Sequence, residues 1–352
     1  AVRDHVRSGL QPKGKQADQY YSSGCDYTRT TGIWQTVWLE FVPETYLQYA
    51  RYYPDPQNGC VTVSGLAKGE GTLRLTALWE GKPVGEKTIA VQDGFFTTQL
   101  DLEEIHLWEA GKGGLYTLLL SLENDQVSSY FGLRTVAFQG RKFLLNGKPL
   151  FQRFVLDQGF YPDGIYTAPT EEDLIQDITL SFAAGFNGAR LHEKVFEPRF
   201  LYHCDRLGYL VWGEFPNWGL DHSHPLATEI VLNQWSEAVE RDCNHPAIIG
   251  WCPFNETWGY HEEKEQNALL SSLYKLTKRL DPTRPCIDAS GNFRVLSEVY
   301  DIHDYDQNTE TFRQRWDSFT EKIRENGGSI PKDDSFFQDL PWGEHGKGPF
   351  FQ

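Results

Sequence analysis

The sequence predicts two successive architectures, an immunoglobulin-like β-sandwich followed by a (β/α)8 TIM barrel. Three observations carry this. Between residues 41 and 137, short stretches of alternating apolar and polar residues recur with turn signals between them. From Phe143 onward, short apolar strands alternate with longer stretches of helical periodicity. Each strand of that second half also ends in a polar or ionisable residue, the mark of a parallel sheet whose carboxyl edge is a working surface.

A chain of 352 residues has room for two or three domains. Hydrophobic residues make up 39% of it, enough for a sizeable core, yet no apolar run reaches the length of a membrane span. A net charge of −16 argues against nucleic acid and anionic membrane as partners, since both require clustered Lys and Arg. The 11 Trp and 17 Tyr suit a carbohydrate partner, because flat rings stack on the apolar faces of sugars, although large cores collect them too. The six cysteines (Cys25, Cys60, Cys204, Cys243, Cys252, Cys286) show no Cys-x-x-Cys spacing. They read as free thiols in a reducing, cytoplasmic compartment, with a secreted or periplasmic location as the alternative. No cofactor is expected, and a homo-oligomer is left open.

Residues 1–40 are rich in Gly, Gln, Ser and Lys until a predicted strand at Trp34–Glu40. The sandwich follows, with alternating stretches at Cys60–Val63, Leu73–Trp79 and Tyr116–Leu120 separated by Glu80-Gly81-Lys82-Pro83 and Gln92-Asp93-Gly94. Asn146-Gly147 then marks a hairpin, and a strand at Phe154–Leu156 ends in Asp157. Thr170 caps a helix through Phe182, with Asp173 three residues on, apolar positions at Leu174, Ile175, Ile178 and Phe182, and Gly185 as the stop. The alternation continues with a strand at Phe186–His192, a helix at Pro198–Leu207, a strand at Tyr209–Glu214 and a helix at Leu232–Cys243. A strand at Ala247–Glu256, a helix from Lys264 to Leu280 and strands at Cys286–Ser290 and Val299–Tyr305 complete it. Residues 138–352 are therefore assigned to the barrel.

The strand ends are the informative feature. In order they present Asp157, then Arg190 and His192, then Glu214, then Asn255 and Glu256, then Asp288, then His303 and Tyr305. Arg190 and His192 are two apart, so they point to one side of their strand. One such residue would be an ordinary solvated strand end; six ends in succession make an active-site floor.

The stretch Asn244-His245-Pro246-Ala247-Ile248-Ile249-Gly250-Trp251, continuing to Asn255-Glu256-Thr257-Trp258, resembles the acid/base segment of glycoside hydrolase family 2, the β-galactosidase and β-glucuronidase family. Thr31-Gly32-Ile33-Trp34-Gln35-Thr36-Val37-Trp38-Leu39-Glu40 independently resembles the end of that family's sugar-binding sandwich. The resemblance implies a retaining exo-β-glycosidase, most like a β-galactosidase, with a β-glucuronidase or a non-catalytic carbohydrate-binding relative as alternatives.

Cleaving an acetal needs a proton on the leaving oxygen and a second carboxylate at the sugar carbon, roughly 5–5.5 Å away in retaining enzymes. Glu256 is the expected general acid/base, its pKa raised by burial beside an apolar strand. Asn255 is expected to bond the hydroxyl at C2 of the sugar. Arg190 would orient a carboxylate through a bidentate pair, and Tyr305 would donate to the nucleophile. The resemblance also places Asp157, His192 and Glu214 in the pocket.

The family's nucleophile motif, an apolar strand ending Ser/Thr-Glu-Phe/Tyr-Gly, has no match. Glu344, in a Gly- and Pro-crowded segment, is a weak candidate, and the nucleophile is expected beyond Gln352, the chain being an internal fragment. His222 and His224 near Glu214 have metal-ligand character, but their loop is Pro- and Asn-rich, and no metal site is assigned.

Overall fold

In the first half, strict alternation turns into two stacked antiparallel sheets. The computed structural model describes residues 4–5, 7–257, 263–291, 294–328 and 350–351. The strands β1 (Tyr46–Asp55), β2 (Cys60–Lys68), β3 (Gly71–Trp79), β4 (Lys82–Val91), β5 (Gly94–Asp101), β6 (Tyr116–Leu122) and β7 (Asp125–Phe131) form sheets ordered β1-β2-β5 and β4-β3-β6-β7. The period of two sends Leu73, Leu75 and Ala77 of β3 inward with Leu118, Leu120 and Leu122 of β6, while Thr72 and Arg74 face water. Between β3 and β4, Glu80 and Gly81 both take positive φ (48° and 80°), the turn whose twist matches that of the paired strands.

The predicted strand at Trp34–Glu40 is absent. No helix or strand occurs anywhere in residues 7–45, and Val37, Trp38, Leu39 and Phe41 are exposed. A strand exists only through a ladder with a partner, and among the described residues this segment has none.

A small antiparallel unit, β8 (Val136–Gln139), β9 (Lys142–Leu145) and β10 (Lys148–Pro149), leads into the second half, with Asn146 and Gly147 making the predicted turn at φ 53° and 73°. Then β11 (Phe154–Asp157), α1 (Glu171–Ala183), β12 (Gly188–Leu191), α2 (Pro198–Leu207), β13 (Leu210–Glu214), α3 (Pro225–Asp242) and β14 (Ile248–Cys252) alternate. The four strands form a parallel sheet in sequence order, each beside its predecessor. They are followed by β15 (Phe254–Asn255), α4 (Glu263–Leu280), β16 (Ala289–Ser290), β17 (Tyr300–Asp301), α5 (Thr309–Glu325) and β18 (Phe350–Phe351). The strands β15 and β16 pair in parallel, as do β17 and β18. Among the described residues no ladder joins β16 to β17 or returns to β11.

Local signals account for the helices. Thr170 and Asp173 make a reciprocal capping box at the start of α1. Pro198 opens α2, and Gly208, at φ 71°, closes it. Helix α3 begins seven residues before the predicted Leu232, because Pro225 fits the first turn and the His224 ring accepts from Leu226 N. Helix α5 has no counterpart in the sequence reading.

The Asn244-His245-Pro246 part of the motif turns out to be a joint between the two halves. Asn244 accepts from Tyr52 N (2.9 Å) and donates to Ala50 O (2.9 Å), both on β1. Arg134, just after the sandwich, donates to the carbonyls of Pro246 (2.8 Å) and Ile248 (2.7 Å). Asp205 gathers Tyr130 Oη, His245 Nδ1 and Ala247 N at 2.9, 2.5 and 2.8 Å.

Candidate active site

Three strand ends converge on Glu256. On β12, Arg190 sits in register with Leu156 and Trp212 and faces the same side as they do. Its Nε donates to Glu214 Oε2 at 2.6 Å, its Nη2 to Asn255 Oδ1 at 2.7 Å, and its Nη1 lies 3.2 Å from His303 Nε2. Arg190 therefore spreads its fork over three partners, which replaces the expected bidentate pair. Glu214 is fully saturated: its Oε1 accepts from Glu193 N at 2.9 Å and stands 3.0 Å from His192 Nδ1. Burial alone would raise the Glu214 pKa, but Arg190 and His192 hold it at about 2. Burial also keeps His192 below its ordinary value, and hence neutral.

Asn255 ends β15 and is gripped on both sides. The Asn217 side chain stands in for a neighbouring strand, accepting from Asn255 N (2.7 Å) and donating to Asn255 O (3.0 Å). Guanidinium is a donor only, so the Asn255 atom facing Arg190 is its oxygen, and the amide NH2 turns the other way.

Glu256 follows at φ 43°, a left-handed conformation that a non-glycine residue holds only when its surroundings impose it. Its N donates to Ser290 O at 2.8 Å. The carboxylate is buried, and its Oε1 receives both His303 Nδ1 and Tyr305 Oη, each at 2.5 Å. Burial pushes its pKa up, but these two hydrogen bonds, with the charge of Lys15 in support, bring it below the ordinary value. The expected upward shift is thereby corrected: the sequence shows the apolar strand but not the two donors. Tyr305, expected to donate to the nucleophile, here donates to Glu256; the residue is 76% exposed.

Asp157 does not join this cluster. It pairs in register with Leu191, one residue out of phase with Arg190, and so faces the helix layer. There its Oδ1 accepts from Gly159 N (2.9 Å), and burial, with Asp177 nearby, raises it to about 6. Asp288, the other strand-end acid, binds Val295 N and Leu296 N (2.5 and 2.8 Å) and fastens a loop. His222 is buried and stacked on Phe254 (ring centroids 4.8 Å), while His224 is used as a helix cap, so the two rings do not converge on a metal site. Trp258 and Glu344 lie outside the described residues.

Four participants escaped the sequence reading. His303 was seen only as a strand end. Glu193, at φ 53°, is buried next to Glu214, which together with burial pushes its carboxyl well above the usual range; its Oε2 accepts from Trp218 N. Trp218 donates its indole N–H to Asn255 O at 3.2 Å. Over that ring, 3.5 Å from its centroid, lies the ammonium of Lys15, a residue only 4% exposed. The N-terminal segment delivers it: Lys13 N and Gly14 N both bond Trp218 O, and a Cβ on Gly14 would stand 2.2 Å from Glu193 O. The short Lys13-Gly14-Lys15 run gives no local hint of a contact with Trp218, so distant in the chain.

An antiparallel sandwich followed by parallel β/α units, with an Asn-Glu pair at the strand tips, is the architecture of a multidomain glycoside hydrolase. The chain belongs to glycosyl hydrolases family 2: residues 136–326 match its TIM barrel domain and residues 52–134 match the family's "Glycosyl hydrolases family 2" description. A β-galactosidase of Thermoanaerobacterium thermosulfurigenes is 26% identical over 85% of this chain and 43% of its own length. A β-galactosidase of Vibrio vulnificus is 30% identical over 61% of this chain and 22% of its own. The chain thus spans less than half the length of these curated relatives. Among solved structures, Bacteroides uniformis β-glucuronidase 3 superposes with a TM-score of 0.69 at 22% identity, covering 80% of this chain and 38% of that one. A Ruminococcus gnavus β-glucuronidase in complex with D-glucuronic acid gives a TM-score of 0.68 at 17% identity, over 81% and 51%. At these identities the solved structures speak for the fold.

Among the described residues no helix is long and apolar enough to cross a membrane.

Proposed function

We propose that this chain carries the acid/base half of a retaining exo-β-glycosidase acting on terminal β-linked sugars, with a β-galactoside as the first substrate to test. The observation that carries the reading is the Arg190–Asn255–Glu256 arrangement. One guanidinium fixes the Asn255 amide so that its NH2 is presented as a donor for a sugar hydroxyl, next to a carboxyl group held at one oxygen. Glu256 gives its proton to the leaving oxygen and later takes one from water. Arg190 and Glu214, with His192 beside them, form the base that keeps Asn255 in place, and Tyr305 steadies Glu256. The second carboxylate is sought outside the described residues, since Glu214 already accepts from Arg190 Nε and Glu193 N, and Glu193 is buried against it. The parallel strands belong to a (β/α)8 barrel, preceded by the sandwich at 41–137 and by residues 1–40 of a sugar-binding domain.

The test is hydrolysis of a panel of nitrophenyl β-glycosides by the full-length protein, with Glu256→Gln as control. Turnover in the wild type and its loss in the variant support the reading. Sugar binding without turnover of any glycoside supports the non-catalytic alternative. A second reading, a β-glucuronidase, is favoured by Lys15: among the described residues its ammonium has no carboxylate partner, and a sugar carboxylate would supply one.

A further inference from the structure

Glu256 presents its two oxygens to different surroundings. Oε1 accepts from His303 Nδ1 and Tyr305 Oη, both at 2.5 Å. No described residue donates to Oε2. The proton on the imidazole can be located. A carboxylate oxygen accepts, so Nδ1, the ring nitrogen facing Glu256 Oε1, carries a proton, while Nε2 lies 3.2 Å from Arg190 Nη1. Ser290 Oγ, 2.9 Å from Nε2, gives its own proton to Asp301. Asp301 is held in turn by Arg294, whose Nη2 lies 3.1 Å from its Oδ1. The ring has no room to swing away, because a Cβ on Gly291 would stand 2.8 Å from His303 Cε1 and 3.2 Å from Glu256 Cγ.

We propose that His303 is a positioning residue for the acid/base: by filling Oε1 together with Tyr305, it confines proton exchange with substrate to Oε2. The inference rests on the acid/base role of Glu256. In the first half-reaction the Oε2–H bond breaks as a bond from the leaving oxygen to that proton forms, and the electron pair stays on the carboxylate. In the second, Oε2 takes a proton from the attacking water. His303 gains and loses no proton in either step. Its N–H stabilises the charged form of Glu256, and so it sets the pH at which the acid is lost. The charged and titratable groups facing this pair are Arg190 from β12, Asp301 from β17, Tyr305 beyond it and Lys15 from the N-terminal segment.

The experiment is the pH profile of kcat/KM for the full-length protein with a nitrophenyl β-galactoside, in wild type, His303→Phe, His303→Asn and Tyr305→Phe. Asn places an amide N–H near the position of Nδ1, whereas Phe keeps the ring and loses the donor. The expected result is an alkaline limb about one pH unit higher in His303→Phe, since a hydrogen bond to a charged group is worth about that much. The limb should return toward wild type in His303→Asn and rise by a smaller step in Tyr305→Phe. An unchanged limb in His303→Phe, or an equal shift in Phe and Asn variants, overturns the proposal. If His303→Phe does not fold, the exposed Tyr305 decides: an unmoved limb in Tyr305→Phe overturns it. A dinitrophenyl glycoside, whose leaving group needs no acid, separates the two levels. Equal losses on both substrates in Glu256→Ala sink the acid/base role itself, whereas a selective loss with unmoved limbs sinks only the role of His303.

Discussion

Arg190 Nη2 and Asn255 Oδ1 meet at 2.7 Å across two strands, and through that contact a cation fixes which face of an amide looks out into the site. The same guanidinium neutralises Glu214 and turns toward His303, so a single side chain ties Glu214 to the imidazole that holds Glu256.

Arg190→Lys should therefore be far from conservative. An ammonium is a compact charge without the planar fork and cannot reach three partners in these directions. We expect kcat/KM to fall about a hundredfold, the scale of losing exact placement around a reacting centre, with the fold retained by circular dichroism. Activity within a few-fold of wild type would show that the fork is dispensable.

The protonation of Glu256 should depend on what stands beside it. In this chain its two donors outweigh burial, and the carboxyl titrates below the ordinary glutamate value. A second carboxylate at catalytic distance in the full-length protein would repel the charged form and raise it. A carbon NMR titration of a labelled Glu256 carboxyl in this chain should show a value below that of an ordinary glutamate. A higher value in the isolated chain would contradict the geometry at Oε1.

Asp157→Asn should leave turnover close to wild type, in contrast to Glu256→Gln. Asp157 shares its surroundings with Gly159, Asp177 and Lys194, on the other side of the strand from Arg190. Steady-state kinetics of the two variants side by side check this. A loss in Asp157→Asn as deep as that in Glu256→Gln would return Asp157 to the site.

The joint between the halves should weaken as the pH rises. Burial opposes the charge on His245, but Asp205, at 2.5 Å, overcomes it and raises the folded-state pKa above 6.5. A raised pKa means that the native state binds the proton more tightly than the unfolded chain does. The resulting stability is complete below 6.5 and is lost as the pH passes through the raised value. Thermal melts across neutrality should show the fall in the wild type and a flatter curve in His245→Gln.

Much of this molecule was legible in its sequence, where the signals are local. The capping pair Thr170 and Asp173, the Asn146-Gly147 turn, and Pro198 with Gly208 bounding α2 each act within a few residues of chain, and each element appears where they put it. The clustering of Arg190, His192, Glu214, Asn255 and Glu256 followed from one rule, that the carboxyl ends of successive parallel strands meet. What escaped were contacts set by tertiary packing. Asp157 is one residue out of phase with Arg190, and a period of two reverses the face. Lys15 reaches Trp218 from a segment with no regular structure, and the pKa of Glu256 depends on two donors nearly fifty residues further on. The strand expected at Trp34–Glu40 has strand-like composition, but composition alone supplies no hydrogen-bonding neighbour.

The Asn-His-Pro joint has a practical corollary for anyone wishing to excise a minimal unit from this protein. The carbonyls of Pro246 and Ile248 lie at the root of β14, the strand just before β15 and Glu256, and a guanidinium from the sandwich side donates to both. Cutting the chain between Arg134 and β8 would remove the Arg134 donor from both carbonyls, leaving Ile248 O to Arg284 Nε (2.6 Å) and loosening the root of β14. The supporting domain is thus part of the foundation of β14, and the two are best expressed as one piece.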